Sequence, residues 1–241
     1  EDNDTPASIK FVAVGQQGTI ITSTDGSSWE TQTSGTSTEL FDVKYINSNF
    51  YAVGRSGLLL KSTDGESWES ISTGTSANLI GIFHANNLFV IVGGNETPGG
   101  YSMILTSSDT NSWNKITTGT TRELSDSTYF NSRYVAVACC GTNVTGNSIG
   151  NSTDGSSWGF SGTNFSQNKT LLGITNDGSN LYAVGDSGLI IKSSNFSSWT
   201  QLTTGVTTNL EDIVTTPHPL LRYLPRLARC VALHACVEDG L

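Results

Sequence analysis

The chain has 241 residues, with 12 Lys and Arg against 21 Asp and Glu, for a formal charge of -9. So sparse a basic complement offers no stripe to neutralise phosphates, which argues against nucleic acid as a partner, and no apolar run is long enough to cross a bilayer. Hydrophobic residues make up 36% and charged residues 14%, among abundant Gly, Ser, Thr and Asn, which is the composition of many short strands joined by turns.

In chain order, Glu1 opens a leader, residues 1–8, with neither a basic nor an apolar segment, so the chain reads as mature or truncated. Strand-like runs follow at Phe11–Gly15, Thr19–Thr22 and Trp29–Thr33, interrupted by the turn Ser23–Trp29. That turn, Ser-x-Asp-x-x-Ser-Trp, recurs at Ser62–Trp68, Ser107–Trp113 and Ser152–Trp158, and at Ser193–Trp199 with Asn195 in place of Asp. Successive Trp residues lie 39, 45, 45 and 41 positions apart. A period of this size belongs to a repeat architecture.

Each repeat carries further regularities. Leu40/Gly54, Leu79/Gly93, Leu124/Ala138 and Leu171/Gly185 share one spacing. They bracket a first apolar run (Leu40–Val43, Leu79–Ile82, Leu171–Ile174) and a second (Tyr51–Gly54, Tyr182–Gly185), as buried strands should look. A third run precedes each Ser-x-Asp turn (Leu58–Lys61, Leu189–Lys192) and a fourth follows each Trp (Trp68–Ser72). Four strands per unit make a propeller blade. The N-terminus lacks a first strand, and Leu210–Val214 is a first strand with nothing after it. The expected fold is therefore all-β, a five-bladed β-propeller of four-stranded antiparallel blades over 9–214. A one-plus-three strand clasp closes it, and a non-propeller tail occupies 215–241.

The repeated residues Asp25, Trp29, Asp64, Trp68, Asp109, Trp113, Asp154, Trp158, Asn195 and Trp199 are expected to be structural: the acid holds the turn by accepting backbone N–H groups, and the Trp lays an apolar face on a neighbouring sheet. The motif is similar to the Asp-box of BNR-type, sialidase-like repeats. Val14–Gly26, and less closely Val53–Gly65, resemble the repeats of photosystem II assembly factors and related extracytoplasmic propellers, over about residues 9–214. That resemblance implies a blade, not an activity. A sialidase needs three Arg on the substrate carboxylate and a Tyr paired with an acid. Within the blades stand only Arg55, Arg122 and Arg133, without an Arg-Ile-Pro motif. The Arg-rich patch that assembly factors present to a membrane partner is not visible either.

Two adjacent blades carry insertions, Gly94–Ser102 and Cys139–Asn147, where the other three have minimal turns, and long loops on one face of a repeat protein often bind. Candidate ligand residues on this face are Asn95, Tyr101, Cys139, Cys140, Asn143, Asn78, Arg122 and Asn209. The loops Ser34–Glu39, Thr73–Asn78, Thr118–Glu123 and Thr204–Asn209 repeat hydroxyls and amides that suit sugars as well as turn capping. Adjacent Cys139 and Cys140 allow a vicinal disulfide; two buried thiols, or pairing with Cys230 and Cys236, are the alternatives. Sequons at Asn95, Asn143, Asn151, Asn164, Asn168 and Asn195 and the even Cys count fit a secreted or cell-surface protein.

Asp42, Asp126 and Asp212 recur at one position of the innermost strand, with Gly81 and Gly173 in the other blades. Facing a channel they could hold a cation or act as paired carboxylates, but regular repetition argues for structure. Residues 217–241 contain no Ser, Thr or Asn and are not a blade. Pro225 could open a short helix that docks under the ring or on another subunit, and a shifted reading frame would give the same discontinuity. His218, Cys230, His234 and Cys236 match no zinc spacing, so no metal and no cofactor are expected. No catalytic constellation converges. The expected function is a non-catalytic extracytoplasmic propeller that binds glycan or protein through the loop face. The alternatives are a structural subunit that self-associates through the tail and, less favoured, a divergent glycosidase.

Overall fold

Each Leu and Gly that stand at the repeated spacing become hairpin partners: Leu40 faces Gly54, Leu79 faces Gly93, Leu124 faces Ala138 and Leu171 faces Gly185. The structure, a computed structural model, describes residues 9, 11–94, 102–118, 122–139, 147–162 and 169–215. Its strands form five antiparallel sheets in chain order. Sheet 1 holds β1 (Phe11–Val14), β2 (Ile20–Ser23) and β3 (Glu30–Gln32). Sheet 2 holds β4 (Leu40–Ile46), β5 (Asn49–Gly54), β6 (Leu59–Ser62) and β7 (Glu69–Ile71). Sheet 3 holds β8 (Asn78–Ala85), β9 (Leu88–Gly94), β10 (Ser102–Ser107) and β11 (Asn114–Thr117). Sheet 4 holds β12 (Leu124–Phe130), β13 (Arg133–Ala138), β14 (Asn147–Ser152) and β15 (Gly159–Gly162). Sheet 5 holds β16 (Leu171–Asn176), β17 (Leu181–Gly185), β18 (Leu189–Ser193) and β19 (Thr200–Leu202). The all-β expectation and the four-stranded unit are borne out in sheets 2 to 5, an arrangement consistent with a propeller.

Local sequence explains the hairpins. The β4–β5, β8–β9 and β12–β13 connections are two-residue turns, Asn47-Ser48, Asn86-Asn87 and Asn131-Ser132, with both residues at positive φ. Asn tolerates that conformation, and the resulting turn matches the strand twist. The first strand of each complete sheet then bulges by one residue, between Leu40 and Asp42, Leu79 and Gly81, Leu124 and Asp126, and Leu171 and Gly173. The bulge turns the residue after it away from its hairpin partner.

Sheets pack face to face through apolar side chains that alternate along the strands. Phe50, Ala52 and Leu60 of sheet 2 meet Val12, Val14 and Ile20 of sheet 1. Tyr51, Val53 and Leu59, on the other face of sheet 2, meet Ile91 and Leu105 of sheet 3. Val90, Val92 and Ile104 of sheet 3 meet Tyr134 and Ala136 of sheet 4, and Val135 and Val137 of sheet 4 meet Ala183 and Ile191 of sheet 5. Burying each large aliphatic side chain contributes about 1.5–3 kcal/mol, so these interfaces set how the sheets are ordered. The motif Trp joins the interface with the preceding sheet at Trp68, Trp113, Trp158 and Trp199. Trp29 has no preceding sheet against it and is 43% exposed.

The expected closing strand differs from expectation. Leu210–Val214 forms no strand ladder among the described residues. A side chain on Gly54, Gly93 or Gly185 would collide with the carbonyl oxygen of Glu39, Asn78 or Thr170, each at the start of a first strand, whereas around Gly15 nothing lies within 4 Å. Sheet 1 is thus three-stranded, with its inner edge at β1. Of the leader 1–8 and the tail 215–241, only Thr215 lies within the described residues.

Candidate functional site

The Ser-x-Asp turn closes on itself. Asp25 Oδ1 accepts the Ser27 and Ser28 amides at 2.7 and 2.8 Å, and Ser23 Oγ accepts the Gly26 amide at 2.8 Å. Asp64, Asp109 and Asp154 repeat the arrangement, and Asn195 Oδ1 accepts the Ser197 and Ser198 amides at 3.2 and 2.9 Å without a charge. These amide bonds hold the carboxyls of Asp25, Asp64 and Asp109 below the usual carboxylate range, and that of Asp154 at about 2. The indole N–H of Trp68, Trp113, Trp158 and Trp199 donates to the carbonyl three residues earlier. The motif is spent on its own turn.

A second set of carboxylates lies where the first strands converge. Asp42 and Asp126 are 5% and 2% exposed, which is low for an ionised group and requires hydrogen-bond partners. Asp42 Oδ2 accepts the amide of Ile82 in the next sheet at 3.1 Å, and Asp126 Oδ2 accepts that of Ile174 at 2.8 Å. Gly81 precedes the Ile82 amide and has Asp42 Oδ2 4.0 Å from where its side chain would start, whereas the same space at Gly173 is taken by Asp212. Asp126 Oδ1 accepts the Ser127 amide at 2.7 Å and Asp42 Oδ1 takes the Lys44 ammonium at 3.1 Å, so both carboxylates are held by their neighbours. Among the described residues no group of three His, Cys, Asp or Glu could hold a metal ion.

One end of the sheets collects the connections. In sheets 2 and 5 the second and third strands, and in sheet 1 the strands β1 and β2, are joined by 3-10 turns, Arg55–Gly57, Asp186–Gly188 and Gln16–Gly18. Each ends in a Gly at positive φ whose side-chain position is filled by a carbonyl oxygen of the loop that follows the sheet's last strand: Thr36, Thr75 or Val206. The two loop types therefore pack side by side. Sheets 3 and 4 replace the turn with 95–101 and 140–146, between Gly94 and Ser102 and between Cys139 and Asn147.

The loop hydroxyls face inward to the backbone. Thr73 Oγ1 donates to the Gly57 carbonyl at 2.8 Å, Thr204 Oγ1 to that of Gly188 at 2.9 Å, and Ser34 Oγ to that of Thr36 at 3.1 Å; Thr118 Oγ1 lies against Ser102 Oγ. Asn78 Oδ1 and Asn209 Oδ1 accept the amides of Ser56 and Ser187, 3.2 and 3.1 Å away, capping the 3-10 turn of the preceding sheet.

Between sheets 4 and 5 this end holds a polar cluster. Arg122 is 4% and Glu123 9% exposed, and the Cys139 amide donates to the Glu123 carbonyl at 2.9 Å. Asp186 Oδ2 accepts the Thr170 amide at 2.9 Å. Burial first, then the nearby Glu123 carboxylate, pushes the Cys139 thiol up to about 12, while burial lowers the Arg122 guanidinium despite the opposing Cys139 and Asp186. Cys139 is a free, buried thiol. Its neighbours Glu123 and Asp186 escaped the sequence reading. Their signal was there: Glu123 repeats Glu39 before the first strand, and Asp186 repeats the place of Arg55 after the second.

Of the candidate ligand residues, Asn78, Arg122, Cys139 and Asn209 lie at this end, Asn78 and Asn209 as caps. Asn95, Tyr101, Cys140 and Asn143 lie outside the described residues, as do Cys230 and Cys236 and the sequons Asn164 and Asn168. Asn151 Oδ1 accepts Arg133 at 2.8 Å from within β14, and Asn195 is exposed on its turn. The three blade arginines do not converge. Arg55 pairs with Glu39 at 3.1 Å beneath the Phe41 ring, Arg122 stands by Cys139, and Arg133 sits at the opposite end of β13 against Asn151 and the Phe196 ring.

No protein-family model matches the sequence, and no curated protein matches it either. Among solved structures the chain is similar to YCF48 from Cyanidioschyzon merolae at a TM-score of 0.57 and 16% identity, over 83% of this chain and 72% of that one. A structure of YCF48 bound to D1 peptide aligns at a TM-score of 0.42 and 17% identity, over 81% of each chain. YCF48 is a photosystem II assembly factor with a β-propeller fold, so the resemblance seen in the repeats extends to the three-dimensional fold. Among the described residues no helix is long and apolar enough to cross a membrane.

Proposed function

We propose that the chain is a non-catalytic binding propeller that engages a protein through the loop end of sheets 3 and 4. The observation that carries this reading is the asymmetry of that end: three sheets close with 3-10 turns of three residues, and two adjacent sheets carry longer connections next to a buried Arg122, Glu123, Cys139 and Asp186 cluster. A rigid frame that bears two longer neighbouring loops is how repeat proteins present a contact surface. Protein is preferred over glycan because the loop hydroxyls and the Asn78 and Asn209 carbonyls bond their own backbone. The likeness of fold to a non-enzyme supports the non-catalytic part, as does the commitment of Asp42 and Asp126 to amides. We place the protein outside the cytoplasm on the support of its sequons.

The test exchanges residues 95–101, and separately 140–146, for the tight Arg55–Gly57 connection, then screens each variant against a displayed peptide library and a glycan array. Saturable peptide binding that either exchange abolishes is expected. Glycan binding alone, or peptide binding indifferent to both exchanges, would remove this reading.

The clasp belongs to the same proposal: residues 209–214 supply the missing first strand of sheet 1 and close the ring. Its support is that the segment makes two of the hydrogen bonds to sheet 5 that a first strand makes to the preceding sheet elsewhere. The Leu210 amide donates to the Gly185 carbonyl at 3.0 Å, as the Leu40 amide does to that of Gly15, and Asn209 caps Ser187 as Asn78 caps Ser56.

A further inference from the structure

The innermost carboxylates follow a rule that reaches across the clasp. In sheets 3, 4 and 5 the amide just past the first-strand bulge meets a carboxylate in one of two ways. In sheets 3 and 5 the bulge is followed by Gly, and the amides of Ile82 and Ile174 reach Oδ2 of the Asp in the preceding sheet. In sheet 4 the preceding sheet offers only Gly81, and the Ser127 amide takes Oδ1 of its own Asp126 at 2.7 Å. Asp126 therefore serves two sheets, one with each oxygen.

Asp212 reproduces the first half of that arrangement. The preceding sheet offers only Gly173, and the Ile213 amide takes Asp212 Oδ1 at 2.7 Å. At sheet 2 the alternation of Asp and Gly meets an odd number of sheets and must break: Asp42 would follow Asp212 directly. The sequence at that point is different in kind. Asp42 Oδ1 receives the Lys44 ammonium at 3.1 Å, and Val43 occupies the place of Ile82, Ser127 and Ile174, its hairpin partner being Ala52 as theirs are Ile91, Ala136 and Ala183.

We propose that Asp212 is the carboxylate that joins the seam of the ring: with residues 209–214 seated on the inner edge of β1, its Oδ2 accepts the Val43 amide. Lys44, held at the neighbouring Asp42, offsets the charge of two adjacent carboxylates. The occupant of the β1 edge is thus this chain's own segment, and the surface that receives it consists of β1 and the first strand of sheet 2. This rests on the clasp reading and adds to it a positioning residue, its acceptor oxygen and its partner amide.

The test is amide hydrogen exchange in the full chain, read at Val43, Ile82, Ser127 and Ile174. Wild-type protein should protect Val43 to the same order as Ile82. Asp212→Ala should speed exchange at Val43 at least tenfold and leave Ile82 and Ile174 unchanged, Asp212→Asn should restore part of the protection, and Asp126→Ala should instead release Ser127 and Ile174. Val43 exchange indifferent to Asp212→Ala overturns the proposal. The clasp is read independently in an Ala13→Cys, Ile213→Cys chain, the pair equivalent to Ala52 and Val43. A disulfide-linked peptide within the monomer supports the clasp whatever Val43 does. A linkage found only in dimers, or none in folded protein, overturns both.

Discussion

Sheets 1 and 2 have nearly the same sequence and different surroundings. Trp29 and Trp68 end the same motif, yet Trp68 packs into the interface with sheet 1 while Trp29 is 43% exposed. Phe11, Ala13 and Ile21 are half-buried where their repeat counterparts Phe50, Ala52 and Leu60 are buried. On the far side, Leu202 of sheet 5 is 36% exposed where its counterpart Ile71 packs on the core between sheets 2 and 3. Burial in a repeat array is supplied by the neighbour and not by the residue, so the two half-interfaces at the ends have the composition of an interior one.

The largest test of that comparison is a matched pair in the core. Leu60→Ala should cost about 2–5 kcal/mol in urea unfolding, the usual range for a fully packed site. Ile21→Ala, at the same repeat position, should cost within about 1 kcal/mol of a comparable amount if the seam closes in solution. A much smaller cost confined to Ile21 would leave sheet 1 open-faced. Next in size is the backbone pair. Gly57→Ala places a methyl at φ 76 against the Thr75 carbonyl and should destabilise by about 1–3 kcal/mol. Gly15→Val, in extended backbone, should be silent in an open ring and harmful in a closed one, where Asn209 would lie against it.

How the sequence and the structure part company is instructive in the same residues. The hairpins, the turn motif and the identity of the four strands were readable because period and spacing record local hydrogen bonding, as Leu40 opposite Gly54 shows. The acceptor role of Asp42 and Asp126 was not readable, since the amide each one serves in the next sheet lies 40 or 48 residues away. Asn78 and Asn209 looked like surface amides for a ligand; that they cap a turn of the preceding sheet depends on a contact across 22 residues that no local pattern records. That Asp186 acts on Arg122 was not readable either, since sheet packing brings together residues 64 positions apart in the chain.

Two smaller effects refine the picture. Cys139, with its thiol pushed up to about 12, should resist iodoacetamide at pH 8 in folded protein and react once urea unfolds it, as peptide mapping would show. Rapid native labelling at Cys139 would mean that the end of sheet 4 opens. The carboxyls of Asp25, Asp64, Asp109 and Asp154 titrate below the unfolded value, so their contribution is complete above about pH 4 and fades as pH falls, for Asp154 through about 2. Asp154→Asn, which imitates Asn195, should flatten part of that acid slope in thermal melts between pH 5 and 2 and change little at pH 7. An unchanged slope would place the acid sensitivity elsewhere.

The hydrogen bonds of the Ser-x-Asp turn all close within three residues of their donor. A segment that satisfies its own polar groups can be duplicated or lost in a gene without orphaning a bond elsewhere in the protein. Evolution can therefore copy the unit freely, and the number of copies that survives is selected by how the outermost faces fit.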